Sequence, residues 1–479
     1  MPKLIDQLRR RFGAPAIAGA ALVALSACTI PSGMPKPAIE VPDTFEAASI
    51  PSPSVWPTPD WWRGFGSAEL NDLMARAQAA NLDMAVAAAR VQQADAQARI
   101  AGAGLLPTLD LTSDASRQKA SGALTRPARN GRYSTEFTAL LNASYEVDFW
   151  GKNRAASESA QQSALASRFD QQIVALSTVA GVANTYFQIV ALQDRLKIAR
   201  ENLASAEDIL RAIQSRVQFG TASGLDTAQE ESLVAQQRAA IPPLEQQLQI
   251  NTNALAILLG QLPEKTQIAG GTLTDIAVPI VGAGLPSELL ARRPDVREAE
   301  ARLAAANANV QVARAAFLPS ISLTAQGGYE SIALRTLFSP MATAFGIVAG
   351  LTQPIFSGGN LEGQLALQKA VYEELVATYR KYTLSAFQDV ENALVTNRQT
   401  AEQERLEQLA VAAARRAYEI SEAQFRQGTI DIVTLLNTQR TLFQETDILA
   451  QVRLAHLQAL TSLFQALGGG WTQADIKSP

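Results

Sequence analysis

Between Phe137 and Phe149 the odd positions are Phe137, Ala139, Leu141, Ala143, Tyr145, Val147 and Phe149. The even positions are Thr138, Leu140, Asn142, Ser144, Glu146 and Asp148. A period of two sends successive side chains to opposite faces of a strand, so one face is apolar and the other largely polar. Residues 107–115 repeat the pattern, with Leu109 and Leu111 against Thr108, Asp110, Thr112 and Asp114. Ile321, Leu323 and Ala325 alternate with Ser320, Ser322, Thr324 and Gln326, and Phe345, Ile347, Ala349 and Leu351 with Gly346, Val348, Gly350 and Thr352. Four strands are therefore predicted, at about 106–118, 134–149, 318–329 and 342–356. The loops inside the two strand pairs fall at 116–132 and 327–341. Tyr145, Phe149, Trp150 and Phe356 gather at strand ends, as in interfacial aromatic girdles.

Elsewhere the period is helical. Residues 152–219 hold no proline, and Leu192, Leu196, Ala199, Leu203, Ala206, Leu210, Ile213 and Val217 step by four and three in turn. That spacing is a heptad seam, which supercoils against neighbouring helices. Residues 361–427 carry a second seam, Leu406, Ala410, Ala413, Ala417 and Ile420. At about 1.5 Å per residue each rod reaches about 100 Å, more than a compact globular domain needs. Gly220 and Gly428 end the rods and suit the left-handed position after a helix. The chain then turns through Thr221 or Thr429 into return helices expected at 225–259 and 431–467. Pro242-Pro243 predicts a break in the first return helix. In the second, Leu435, Leu442, Leu449, His456 and Leu463 are spaced by seven, so His456 is expected to pack rather than to act as a base.

The body of the chain is written twice. Residues 81–112 align without gaps on 293–324, with Asp83/Asp295, Arg90/Arg302, Leu106/Leu318 and Pro107/Pro319 identical. Phe219-Gly220-Thr221 and Gln427-Gly428-Thr429 echo each other at nearly the same offset. Each half reads helix, strand, strand, long helix, turn, return helix. The predicted organisation is a first repeat at 61–259, a Gly/Pro-rich linker at 260–286, a second repeat at 287–467 and a tail at 468–479.

Lys3, Arg9, Arg10 and Arg11 precede an apolar run from Ala14 to Leu25. This describes a secretory leader over 1–27, too short for a spanning helix. Leu25-Ser26-Ala27-Cys28 looks like a bacterial lipobox, which would make Cys28 an acylated first residue held in lipid. Thr29 in place of Asp after it implies export to the outer membrane, and the proline-rich segment 28–60 is expected to run as a tether.

Composition removes competing classes. Of 479 residues, 41 are basic and 45 acidic, and the net charge of −4 argues against nucleic acid as a partner. One histidine and one cysteine leave no His/Cys metal cluster and no disulfide framework. No nucleophile or acid–base cluster emerges, so neither an enzyme nor a cofactor site is expected.

Strands near the 9 to 11 residues of a tilted spanning strand, on a chain addressed to the outer membrane, point to a membrane barrel. Four strands cannot close one, and open edges in lipid leave backbone groups unpaired. Several copies would have to pool their strands, and three copies, with twelve, leave room for a water-filled lumen. The alternative is a lipid-anchored periplasmic coiled-coil scaffold without a pore.

The stretch Leu285-Pro286-Ser287-Glu288-Leu289-Leu290-Ala291-Arg292-Arg293-Pro294-Asp295-Val296-Arg297, continuing to Phe317-Leu318-Pro319-Ser320-Ile321-Ser322-Leu323-Thr324, resembles the signature of TolC-like outer membrane factors. Leu225-Asp226-Thr227-Ala228-Gln229-Glu230 and Asn253-Ala254-Leu255-Ala256-Ile257-Leu258-Leu259-Gly260 look like further stretches of that family. The likeness covers residues 60 to 470 and is greatest to the NodT-type lipoproteins of resistance-nodulation-division (RND) efflux systems. It implies a mainly helical fold with a small transmembrane β part. A homotrimer would form a twelve-stranded barrel in outer-membrane lipid, continuing into an α-helical tunnel. It also implies a periplasmic adaptor and an inner-membrane RND transporter docked at the far tip, near Gly220, Thr221, Gly428 and Thr429. Asp110, Asp114, Asn142, Glu146 and Asp148 would face the lumen, and Asp226, Asp431, Thr434 and Asn437 would line the entrance. Where the family commonly places aspartates on the second return helix, this chain has Thr434 and Asn437. Asp226 and Asp431 also stand where a helix N-terminus needs a cap.

Overall fold

The computed structural model describes residues 41–42, 44–46, 57–119, 121, 133–282, 286–469 and 471. The expected leader, Cys28 and most of the tether lie outside them. The helices are α1 (Ala68–Ala80), α2 (Leu82–Ala103), α3 (Lys152–Gln218), α4 (Gly224–Leu258), α5 (Pro286–Arg292), α6 (Pro294–Ala315), α7 (Asn360–Arg426) and α8 (Ile432–Ala466). The strands are β1 (Thr108–Lys119), β2 (Tyr133–Val147), β3 (Ser320–Ser331) and β4 (Thr343–Thr352). Corresponding helices of the two halves have equal lengths: 22 residues in α2 and α6, 67 in α3 and α7, 35 in α4 and α8. The chain forms two compact units.

The first unit contains 93–165 and 300–378 and holds the sheet. Its strands pair antiparallel in the order β1-β2-β3-β4. The register aligns the period-two patterns of all four strands. Leu111 lies opposite Leu141, Leu141 opposite Gly327, and Gly327 opposite Phe345. Asp110 lies opposite Asn142, Asn142 opposite Gln326, and Gln326 opposite Gly346. Gly328 has no substitute in this register, because a Cβ there would strike the carbonyl oxygen of Ala139. β4 stops at Thr352, short of the expected 356. Pro354 has no N–H to offer a ladder, which leaves Ile355 and Phe356 as exposed apolar residues beyond the strand. β1 and β3 extend past their expected ends, and the β3–β4 connection carries two short 3₁₀ turns, Leu334–Thr336 and Pro340–Ala342.

The second unit contains 39–92, 166–299 and 379–479. Its main core gathers Trp61, Trp62, Phe65 and α1 residues Leu70, Leu73 and Met74 against Phe187 of α3, Leu255 of α4 and Phe464 of α8. Trp61 stacks on Phe464 at 4.7 Å, and Phe65 meets Phe187 edge-on at 4.9 Å. The linker is part of this core through Leu273 and Ile276. Arg453 of α8 fastens it by donating to the Ile276 carbonyl oxygen at 2.7 Å and pairing with Glu404 of α7 at 2.7 Å. His456 Nδ1 lies 2.6 Å from the other oxygen of Glu404, so the one histidine is packed inside the bundle.

One helical expectation is corrected. α4 runs unbroken through Pro242 and Pro243. Arg238 and Ala239, whose carbonyls lose their helical donors, and both prolines are exposed, which leaves this stretch open to water in place of the missing bonds. The α3 seam turns inward, with Leu192, Leu196, Ala199, Ala206 and Ile213 buried. The α7 seam does not: Leu406 and Ile420 are exposed, while Glu404, Ala414 and Phe425 face the interior.

Candidate functional site: an amphipathic sheet and paired helix turns

Strand alternation and register together give the sheet two chemically distinct faces. Leu109, Leu111, Phe137, Ala139, Leu141, Ala143, Leu323, Ala325, Phe345, Ile347 and Leu351 share one face. Many of its large side chains, including Leu111, Phe345 and Ile347, are exposed. The opposite face carries Asp110, Asp114, Asn142, Glu146, Ser322, Thr324 and Gln326. On it, Asn142 Nδ2 donates to Thr112 Oγ1 at 2.9 Å, and Lys152 Nζ lies 2.7 Å from Glu146. Asp148 was expected among these strand residues and is not one. β2 ends at Val147, and the Asp148 carboxylate instead accepts from the backbone N–H of Asn153 at 3.0 Å and of Arg154 at 2.9 Å. These are otherwise unpaired donors of the first turn of α3, where negative charge is favoured.

The two helix turns are built alike. Gly220 has φ 70° and Gly428 φ 74°. The Gly220 N–H donates to the Val217 carbonyl at 3.0 Å and the Thr221 N–H to the Arg216 carbonyl at 2.9 Å. The Gly428 N–H donates to Phe425 and the Thr429 N–H to Gln424, each at 3.0 Å. Both are Schellman motifs, which need a residue free to take positive φ. Each threonine hydroxyl adds a bond to the same carbonyl, Thr221 to Arg216 at 3.1 Å and Thr429 to Gln424 at 3.0 Å.

After the turns the caps differ. Ser223 and Asp226 form a reciprocal capping box on α4, with the Ser223 N–H donating to Asp226 Oδ2 at 2.8 Å. Asp431 caps α8 alone, its Oδ1 accepting from the Thr434 N–H at 2.7 Å. Hydrogen bonding by the Thr434 hydroxyl, and then by its backbone N–H, holds the exposed Asp431 carboxyl below its ordinary value. Asn437 lies one turn further along α8, and its carbonyl oxygen accepts from the Thr441 hydroxyl at 2.9 Å.

Sequence reasoning missed what ties the turns together. Arg216, in the last turn of α3, lays its guanidinium over the Phe425 ring at 4.2 Å and donates to the Phe425 carbonyl oxygen at 2.6 Å. A cation there meets the negative end of α7. Below it Ile209, Ile213, Leu233, Phe425, Ile432, Leu435 and Leu436 form a core of all four helices. An arginine near a helix end carries no mark of its partner on another helix, so no periodicity could have found it. Among the described residues no group of His, Cys, Asp and Glu side chains could hold a metal ion.

An exposed apolar sheet face and paired helical hairpins define a class of membrane-embedded channel proteins. The family model described as "Outer membrane efflux protein" matches residues 73–261 and 285–469, and the chain belongs to that family. It is 42% identical over 462 residues to "Pyoverdine export outer membrane protein OpmQ" of Pseudomonas putida, covering 95% of this chain and 96% of that one. It is 33% identical over 437 residues to "Probable efflux pump outer membrane protein TtgC" of Pseudomonas putida, covering 88% of each. The Campylobacter jejuni CmeC outer membrane channel superposes with a TM-score of 0.86 at 25% identity, covering 93% of this chain and 96% of that chain. The protein is thus an outer-membrane exit channel of a tripartite efflux pump, reaching into the periplasm, and not an enzyme. The pore-less scaffold is set aside.

Proposed function

We propose that three copies of this chain pool their strands into one twelve-stranded barrel and their helices into one periplasmic tunnel. The observation that carries this reading is the sheet itself. Its apolar residues share one face, and among the described residues the outer edges of β1 and β4 have no strand partner. Lipid can cover such a face, but only a further strand can satisfy such an edge. The uncovered α7 seam supports the same assembly, since Leu406 and Ile420 would be buried by a neighbouring copy.

In this reading the two halves are copies of one structural unit joined by the linker. Asp110, Asp114, Asn142 and Glu146 line the lumen. Asp226, Asp431, Thr434 and Asn437 surround the entrance, with the aspartates also serving as caps. Gly220, Thr221, Gly428 and Thr429 form the turns on which a periplasmic adaptor docks, joining the channel to an inner-membrane RND transporter. Cys28 carries acyl chains that add a lipid anchor. Transport through the duct is passive, with energy supplied by the transporter. Pyoverdine, the cargo in the name of OpmQ, is the first cargo to assay.

The test is native mass spectrometry and planar-bilayer conductance on the purified protein. Three copies and ion conductance are expected, and replacing Leu406 and Ile420 together by Asp should release single chains. A stable single copy that conducts nothing would overturn the proposal.

A further inference from the structure

The tip bundle buries two polar side chains that its packing leaves without partners. Glu230 on α4 and Gln439 on α8 are each fully buried. Neither oxygen of Glu230, and neither amide atom of Gln439, has a hydrogen-bond partner. Their placement follows from helical spacing. Glu230 lies three residues before Leu233, and Gln439 lies four after Leu435 and three after Leu436, so both share faces with the apolar core that holds the four helices together. A charged carboxylate in such a place lacks the water that would stabilise it.

The ionisable surroundings do little to offset this. Arg440 of α8 favours the charged form, but less than burial opposes it, and the Glu230 carboxyl is pushed up to about 7. From α7 Tyr418 packs against the same core and interacts electrostatically with Glu230, as well as with Glu422 and Arg426 of its own helix. The Tyr418 hydroxyl is shared at 3.1 Å with Ser205 of α3.

We propose that Glu230 is a proton-binding site that couples the packing of the four helices at the paired turns to the pH of the surrounding compartment. With the proton bound, the carboxyl is neutral and the core closes over it. When the proton leaves, the charge favours a loosened bundle in which water reaches α4 and α8. The packed state holds its proton over a range in which a hydrated carboxyl has lost it, so packing is fullest below the solvated value of 4.5 and weakens as pH rises to about 7.

Hydrogen exchange on the purified full chain tests this directly. After correction for intrinsic exchange, the opening equilibrium of amides in residues 226–236 and 432–442 should rise roughly 30-fold between about pH 5.5 and about pH 8.5. In Glu230→Gln, which is neutral at every pH, that rise should disappear. Glu230→Leu serves as a second carboxyl-free variant if the first misfolds, and in the wild type the infrared band of a protonated carboxyl should vanish as pH rises through about 7. A flat wild-type profile, the same profile in wild type and variants, or no such band would overturn the proposal. Extending it to passage through the entrance rests on the duct reading, in which open probability rises with pH in the wild type only. Exchange reads the proton site even in protein that does not conduct, so the two ideas fail separately.

Discussion

The return helices α4 and α8 have the same length of 35 residues and follow turns of the same construction, yet they are used differently. α8 buries sixteen of its residues, among them Leu435, Leu457, Leu463 and Phe464, whereas α4 buries six. The long helices differ the other way: α3 hides its heptad seam inside the chain, and α7 leaves Leu406 and Ile420 exposed. Matched elements are thus divided into an inner pair, α3 and α8, and an outer pair, α4 and α7. The division explains why Pro242 and Pro243 are tolerated. On an outer helix the unpaired carbonyls meet water, whereas the same dipeptide inside α8 would bury them at a cost of several kcal/mol.

The largest effect that sharpens this contrast belongs to the inner pair. Phe464→Ala removes a ring stacked on Trp61 and should cost about 3–5 kcal/mol in chemical denaturation. Ile250→Ala on the exposed side of α4 should cost less than about 0.5 kcal/mol. Equal losses would show that a neighbouring copy covers α4 as tightly as the chain covers α8.

The next effect concerns the sheet. Leu141→Arg places a charge on the apolar face and should destabilise the protein in liposomes by roughly 2–4 kcal/mol, while Asn142→Arg on the polar face should be mild. If Asn142→Arg proves the more damaging, the assignment of faces is reversed. The smallest effect separates the two turns. Asp431→Ala removes a lone cap and should lower stability slightly, chiefly as faster hydrogen exchange in the first turn of α8. Asp226→Ala should cost less, because Ser223 still accepts from the α4 backbone. A larger loss from Asp226 would mean that its carboxylate does more than cap.

Features that depend on one element's own periodicity were legible in the chain. Alternation through Phe137–Val147 marked a strand and its faces, and Gly220 and Gly428 marked the ends of two rods, because each signal is local. The end of β2 was misplaced because Asp148 continues the alternating pattern while its carboxylate is claimed by α3. Which seam faces inward was not legible, since Leu203 and Leu406 obey the same spacing and only packing separates them. The partnerships of Arg216 with Phe425 and of Glu404 with Arg453 and His456 join residues far apart in the chain, where period carries no information. The burial of Glu230 was hidden for a similar reason: a carboxylate in a charged helical run reads as solvated.

The free margins of β1 and β4 also bear on how the protein is made. In the proposed trimer, a chain whose outer strands are completed by its sisters has no finished form to adopt alone in lipid, so insertion and association would become a single event. The yield of such an assembly should then climb more steeply than in proportion to the rate of synthesis.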